Sequence, residues 1–232
     1  MKRINLTVLI ILLSAATFAQ NSFRIPLIGE EAPAFKANST KGVIHFPKDF
    51  GNDWKLIVSH PQDFTPVCSS ELLELASMQD EFRNLGVDII VVSTDTLYQH
   101  YNWIEWMEKV NYKKRGPMKI DFPLVEDINT SVSRKYGMLH EGVSTTRDVR
   151  GVFIVDPKNI IRLVQFYPMQ IGRNMEEIKR SIIALQTSDK DGVITPANWK
   201  PGEDVMLPWF DENVLLDPSV YQLVWFMTYK KL

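Results

Sequence analysis

The sequence predicts an α/β fold: a central mixed sheet with helices on its faces, followed by a C-terminal extension. Three observations predict it. Lys55–Ser59 and Val87–Ser93 are short, apolar and β-branched, and the second is too apolar to be exposed on both faces. Between them Leu72, Leu73, Leu75, Ala76, Met78, Phe82 and Leu85 recur at the spacing of one helix face. Further on, Gly151–Val155 and Ile160–Phe166 read as two strands joined by the turn Asp156-Pro157-Lys158-Asn159. Strands alternating with helices and a closing hairpin fit a layered α/β domain.

The chain has 232 residues, of which 45% are hydrophobic and 23% charged, enough for a core of its own. A formal charge of −2 gives no basic excess with which to hold nucleic acid. Residues 1–19 follow the plan of a secretory signal peptide. Lys2 and Arg3 precede the apolar run Leu6–Leu13, and Thr17 and Ala19 place a cut before Gln20. The run is too short to span a bilayer comfortably. Cleavage would leave 24 basic against 28 acidic groups, a charge of −4. The expected location is outside the cytoplasm, periplasmic or secreted. One cysteine cannot form an intrachain disulfide there, so the fold must stand on its core.

The remaining elements follow in order. Val43–Phe46 reads as a short strand and Phe50–Trp54 as a turn. Residues 96–110 have helical content. Their Tyr98, Tyr101, Trp103, Ile104, Trp106, Met107 and Val110 suggest core or subunit contact rather than a cofactor box. Phe122–Val125 reads as strand, Thr130–Tyr136 as a short helix ended by Gly137, and Asn174–Leu185 as the last strong helix. Residues 27–188 then form the main domain. Residues 189–232 change character, with several prolines and few helical runs, and form an extension over the core or a second subunit. Its large apolar groups, Trp225 and Phe226 among them, would be a hazard in a free tail.

The chemistry concentrates in His60–Glu71, which holds the only cysteine. Thr65 has the chemistry of an N-cap, Pro66 suits the first helical position, and Cys68 falls at the third. The first turn of a helix offers unpaired N–H groups and the positive end of the dipole, which favour a thiolate. A lone cysteine is otherwise a small buried hydrophobe, so position alone leaves both readings open.

The string Pro61-x-x-x-Thr65-x-x-Cys68 resembles the active-site signature of the peroxiredoxins, the alkyl hydroperoxide reductase and thiol-specific antioxidant family. The longer string from His60 to Cys68 is similar to the one-cysteine subfamily in particular. The resemblance covers roughly residues 27–210 and includes the opening Gly29-x-x-Ala32-Pro33-x-Phe35. It implies a thioredoxin-like sheet and a thiol-dependent peroxidase without a cofactor. Cys68 would be oxidised by peroxide to a sulfenic acid. Pro61 would shield the thiolate, and the Thr65 hydroxyl would hydrogen-bond the peroxide. Arg150, in Arg150-Gly-Val-Phe153, matches the family's Arg-x-x-Phe and would support the thiolate and bind peroxide; Arg147 is its rival nearby. His60 and Glu71 match supporting residues beside the site.

Two-cysteine members carry a resolving cysteine in a Val-Cys-Pro-x-x-Trp segment. Here Ile194-Thr195-Pro196-Ala197-Asn198-Trp199 puts Thr195 in that place, so an external thiol must reduce the sulfenic acid. The resemblance also implies a homodimer or a higher oligomer. Gly51-Asn52-Asp53-Trp54-Lys55 lacks the serine of the lipase-like motif some one-cysteine members carry, so phospholipid hydrolysis is not expected. Cys68-Ser-Ser-Glu71 is not a Cys-x-x-Cys, which argues against a thiol–disulfide oxidoreductase. His45, His60, His100 and His140 show no metal-ligand spacing. The alternative from another class is a noncatalytic holdase or binding protein that keeps the fold.

Overall fold

A computed structural model describes residues 24–209 and 216–232. The expected signal peptide, and Phe210, Val214 and Leu215 of the extension, lie outside the described residues. Among the described residues no helix is long and apolar enough to cross a membrane.

Seven strands form the main sheet: β1 (Phe35–Ser39), β2 (Gly42–Phe46), β3 (Trp54–Ser59), β4 (Val87–Ser93), β5 (Leu124–Glu126), β6 (Arg150–Val155) and β7 (Ile161–Tyr167). Their order is β2-β1-β5-β4-β3-β6-β7. The strands β3, β4 and β5 are parallel, while β6 and β7 close the sheet antiparallel beside β3. This is the thioredoxin-like mixed sheet. The helices are α1 (Pro66–Asn84), α2 (Leu97–Met107), the short α3 (Ser131–Lys135) and α4 (Met175–Asp191).

Period-two alternation sorts the core into two layers. Leu56, Val58, Ile89, Val91, Val152 and Ile154 face Leu72, Leu75, Phe82, Ile178 and Ile182 of α1 and α4. Ile57, Ile90, Val92, Phe153 and Val155 face the other way, against Phe35, Phe46, Val132 and Tyr136. Every residue of β3 and β6 is buried, so these two strands form the rigid floor on which the loop after β3 stands.

Several boundaries differ from the sequence reading. β1 was not expected; it is half-polar, and it forms because β2 folds back on it as a hairpin. β5 begins at Leu124 rather than Phe122, because parallel pairing with β4 starts at Leu124. α2 stops at Met107, and α4 continues to Asp191, where Gly192 adopts the left-handed C-cap. Of the α2 aromatics only Trp103 enters the core, whereas Tyr98, Tyr101 and Trp106 are exposed.

The extension contains strands the sequence reading did not anticipate. β8 (Val205–Met206), β9 (Val220–Val224) and β10 (Met227–Lys230) form a small sheet in the order β8-β10-β9. Buried Trp199 and Val205 pack with Val193 and with Ala184 of α4, which fixes the start of the extension to the core. Trp225 and Phe226, at the tip of the β9–β10 hairpin, are 75% and 63% exposed, so they do not pack on their own core.

Candidate active site

The site forms where β3 ends and α1 begins. Pro66 occupies the first position of α1 and Thr65 its N-cap. The Thr65 hydroxyl does not cap the helix. It donates to the carbonyl of Gln62 at 2.9 Å, which stiffens the loop. The first helical hydrogen bond runs from Ser69 N to Thr65 O, so the N–H groups of Val67 and Cys68 lie ahead of the ladder. Cys68 is only 2% exposed, and Pro61 is buried with it.

Sheet register brings Arg150 to this helix. Val58 pairs with Val152 in the antiparallel β3–β6 ladder, which sets the start of β6 beside the end of β3. Gly151 keeps the strands close: a Cβ there would meet Ser59 Oγ at 3.0 Å and the Phe166 ring at 3.2 Å. Arg150 Nη1 lies 3.3 Å from Cys68 Sγ and donates to Glu71 Oε2 at 2.7 Å. Its Nη2 and Nε donate to the carbonyl of Met169 at 2.8 and 3.2 Å. Arg147, the rival, turns away and pairs with Asp95 Oδ1 at 2.7 Å.

Glu71 stands one helical turn after Cys68, on the same face. A second arginine, which sequence reasoning missed, grips it. Arg173 donates from Nε to Oε1 at 2.9 Å and from Nη2 to Oε2 at 2.7 Å, and its backbone N–H reaches Oε1 at 2.8 Å. Its Nη1 bonds Gly151 O at 2.7 Å. Burial works against the Glu71 charge, but Arg173 and then Arg150 outweigh it and hold its pKa below the ordinary carboxylate value. Arg173 sits just ahead of the α4 N-cap with no motif around it, so only the fold reveals it.

His60 is buried, and its Nε2 lies 2.8 Å from Asp63 Oδ1. The ring packs 5.1 Å from that of Trp103, whose Nε1 donates to Ser69 Oγ. His60, Asp63 and Asp95 place donor atoms within 4.8 Å of one another. Those atoms already serve each other and the backbone: Asp95 Oδ2 accepts from Asp63 N at 2.8 Å and from Ser93 Oγ.

The comparisons with known proteins agree on one family. The AhpC/TSA family matches residues 28–164, and the C-terminal domain of 1-Cys peroxiredoxin matches residues 184–209. The chain belongs to the peroxiredoxin family. A peroxiredoxin of Methanosarcina mazei is 48% identical over 185 residues, covering 79% of this chain and 84% of the relative. A solved yeast mitochondrial 1-Cys peroxiredoxin, studied for thiol resolution via glutathione and thioredoxin systems, superposes with a TM-score of 0.79 at 33% identity. It covers 90% of this chain and 100% of that one. Peroxiredoxin 6 of Arenicola marina, as a cysteine-to-serine mutant, gives 0.80 at 31% identity over 88% of this chain and 97% of that one. This peroxiredoxin is thus a thiol-dependent peroxidase, and its single cysteine fits the one-cysteine mechanism.

Proposed function

We propose that Cys68 is the nucleophile and that the buried charges around it are built for a thiolate. The observation that carries this is the charge balance. Two guanidinium groups, Arg150 and Arg173, face one carboxylate, Glu71, in a buried network that touches Sγ. The Cys68 thiolate is the anion that completes it, since buried charge needs a partner.

The reaction follows. The thiolate attacks the terminal oxygen of a hydroperoxide; the S–O bond forms, the O–O bond breaks, and water or an alcohol leaves. Arg150 and the N–H groups of Val67 and Cys68 face the oxygen on which charge develops. The Thr65 hydrogen is committed to Gln62 O, so its oxygen is left to accept from the peroxide O–H. Pro61 shields the thiolate from water. An external thiol then attacks the sulfenic acid, forms a mixed disulfide and releases water, and a second thiol frees Cys68. Glutathione or a thioredoxin is the reductant class that the yeast relative's studied systems suggest.

The exposed Trp225 and Phe226 suit burial on a second copy, a homodimer or part of a higher oligomer. The charged start and apolar run of residues 1–19 support export. Incubating the mature protein with hydrogen peroxide and glutathione or a thioredoxin system tests the reading. Thiol-dependent peroxide loss is expected, and none with any thiol would overturn it. N-terminal sequencing of protein recovered from the exporting cell should begin near Gln20, and an intact Met1 on the soluble protein would contradict export.

A further inference from the structure

The loop between β3 and α1 carries a second buried network, centred on Asp63. Asp63 Oδ1 faces His60 Nε2 at 2.8 Å, and Oδ2 faces His100 Nδ1 at 2.7 Å. His100 belongs to α2 and is fully buried. Its other nitrogen, Nε2, faces the carbonyl of Val125 in β5 at 3.2 Å. A carbonyl oxygen can only accept, so Nε2 must carry a hydrogen. Burial opposes the Asp63 charge, but the hydrogen bonds from His100 and His60 outweigh it and hold its pKa below the ordinary value. Asp63 is then a carboxylate that also only accepts, so His100 Nδ1 must carry a hydrogen too.

We infer that His100 works as a doubly protonated clamp, a positioning residue that fixes the loop presenting Thr65. Charge supports this. With an imidazolium at His100, Asp63 is neutralised where it is buried, as Arg147 neutralises Asp95 beside it. His60 also faces the clamp, with its ring 6.5 Å from that of His100. Backbone geometry supports it as well. Phe64, directly after Asp63, has φ +59, a conformation costly for a bulky side chain. Such a residue persists only where its surroundings are fixed, and Asp63 fixes them to α2 and β5, and to Asp95 through its backbone N–H. The clamp touches neither the peroxide site nor Arg150.

This inference rests on the peroxidase reading, and two measurements keep the two apart. The first is ¹⁵N NMR of the imidazole nitrogens in the wild-type protein. Both His100 nitrogens should be protonated, and a single ring proton would overturn the clamp whatever the activity. The second compares His100→Asn, which keeps one neutral donor, with wild type at equal folded fraction by circular dichroism. The rate constant for sulfenic acid formation should fall at least tenfold, because the loop presents Thr65 to the peroxide. Alkylation of Cys68 by iodoacetamide should change less than twofold, because Arg150, Glu71 and Arg173 are untouched. An unchanged peroxide rate, or an equal loss in both rates, would overturn the inference.

Discussion

Two buried charge networks flank the stretch from His60 to Cys68, and they balance differently. Around Asp63 each acid has its own cation, His100 for Asp63 and Arg147 for Asp95, and His60 also faces Asp63. Around Cys68 two arginines share one glutamate, and a positive charge is left over. The closed network has nothing to offer a ligand and serves as a brace. The open one is a site. Both are anchored to the same sheet, one through β5 and the other through β6, which lets the brace set the position of the site.

The largest effect should come from unbalancing the open network. Glu71→Gln leaves Arg150 and Arg173 buried without a carboxylate, and breaking such a pair costs about 3 kcal/mol or more. Denaturant unfolding at pH 7 measures it. The sign with pH follows from the depressed Glu71 pKa. Its contribution is fully present above the ordinary carboxylate value, about 4.3, and is lost as pH falls through the folded value. Wild type and variant should therefore converge in acid, and a gap that persisted there would show that Glu71 acts through packing alone.

Next is the guanidinium that touches sulfur. Arg150→Lys keeps the charge but cannot reach Cys68, Glu71 and Met169 O together. Peroxidase activity should fall by more than tenfold, about 1.4 kcal/mol of barrier. Arg147→Lys, at the half-exposed end of the closed network, should cost much less. The reverse order in steady-state kinetics would exchange their roles.

A change outside both networks sharpens the contrast. Trp225→Ala with Phe226→Ala should leave single-turnover peroxide kinetics unchanged. In the proposed homodimer, subunit affinity should fall by tenfold or more, about 1.4 kcal/mol. Sedimentation velocity over a concentration series measures it, and an unchanged dimer would remove the hairpin tip from the interface.

The smallest effect concerns an acid that neither network neutralises. Asp148 is buried, and neither of its oxygens has a hydrogen-bond partner. Burial pushes its pKa well above the ordinary value, and the charges of Asp127 and Asp95 add to this, while the nearby Ser133 hydroxyl and the Arg147 charge only partly offset it. The folded protein thus binds a proton that the unfolded chain releases, so stability falls as pH rises above about 3.9. Asp148→Asn should remove that penalty, raising stability by about 1 kcal/mol at pH 8 with no gain in acid. Thermal melts at both pH values decide it, and an equal shift at both would rule out titration of Asp148 as the cause.

What could be read from the sequence was local. The run from His60 to Glu71 is contiguous, so the strand, the helix start and the cysteine position were legible together. β4 was legible residue for residue because its apolar run has sharp ends. What was not legible depends on distant pieces meeting. Arg173 and Glu71 are joined only by the return of the chain after β7, and His100 reaches Asp63 only because α2 packs behind the loop. The strands of the extension escaped notice because β8 has two residues and the chain between it and β9 is proline-bearing. The exposure of Trp225 and Phe226 has the same origin, since composition shows that a group is apolar but not which surface covers it.

In the proposed mechanism Cys68 alone takes the oxygen from peroxide. Intact-mass spectrometry of the reduced protein after one equivalent of hydrogen peroxide, with dimedone as a trap, tests it most directly. The wild type should carry a single adduct, mapped to Cys68, that disappears when a small thiol is added before the trap. Cys68→Ser should carry none and consume no peroxide, since an unactivated hydroxyl is a poor nucleophile. An unmodified wild type, or a serine variant that clears peroxide at the wild-type rate, would contradict the account.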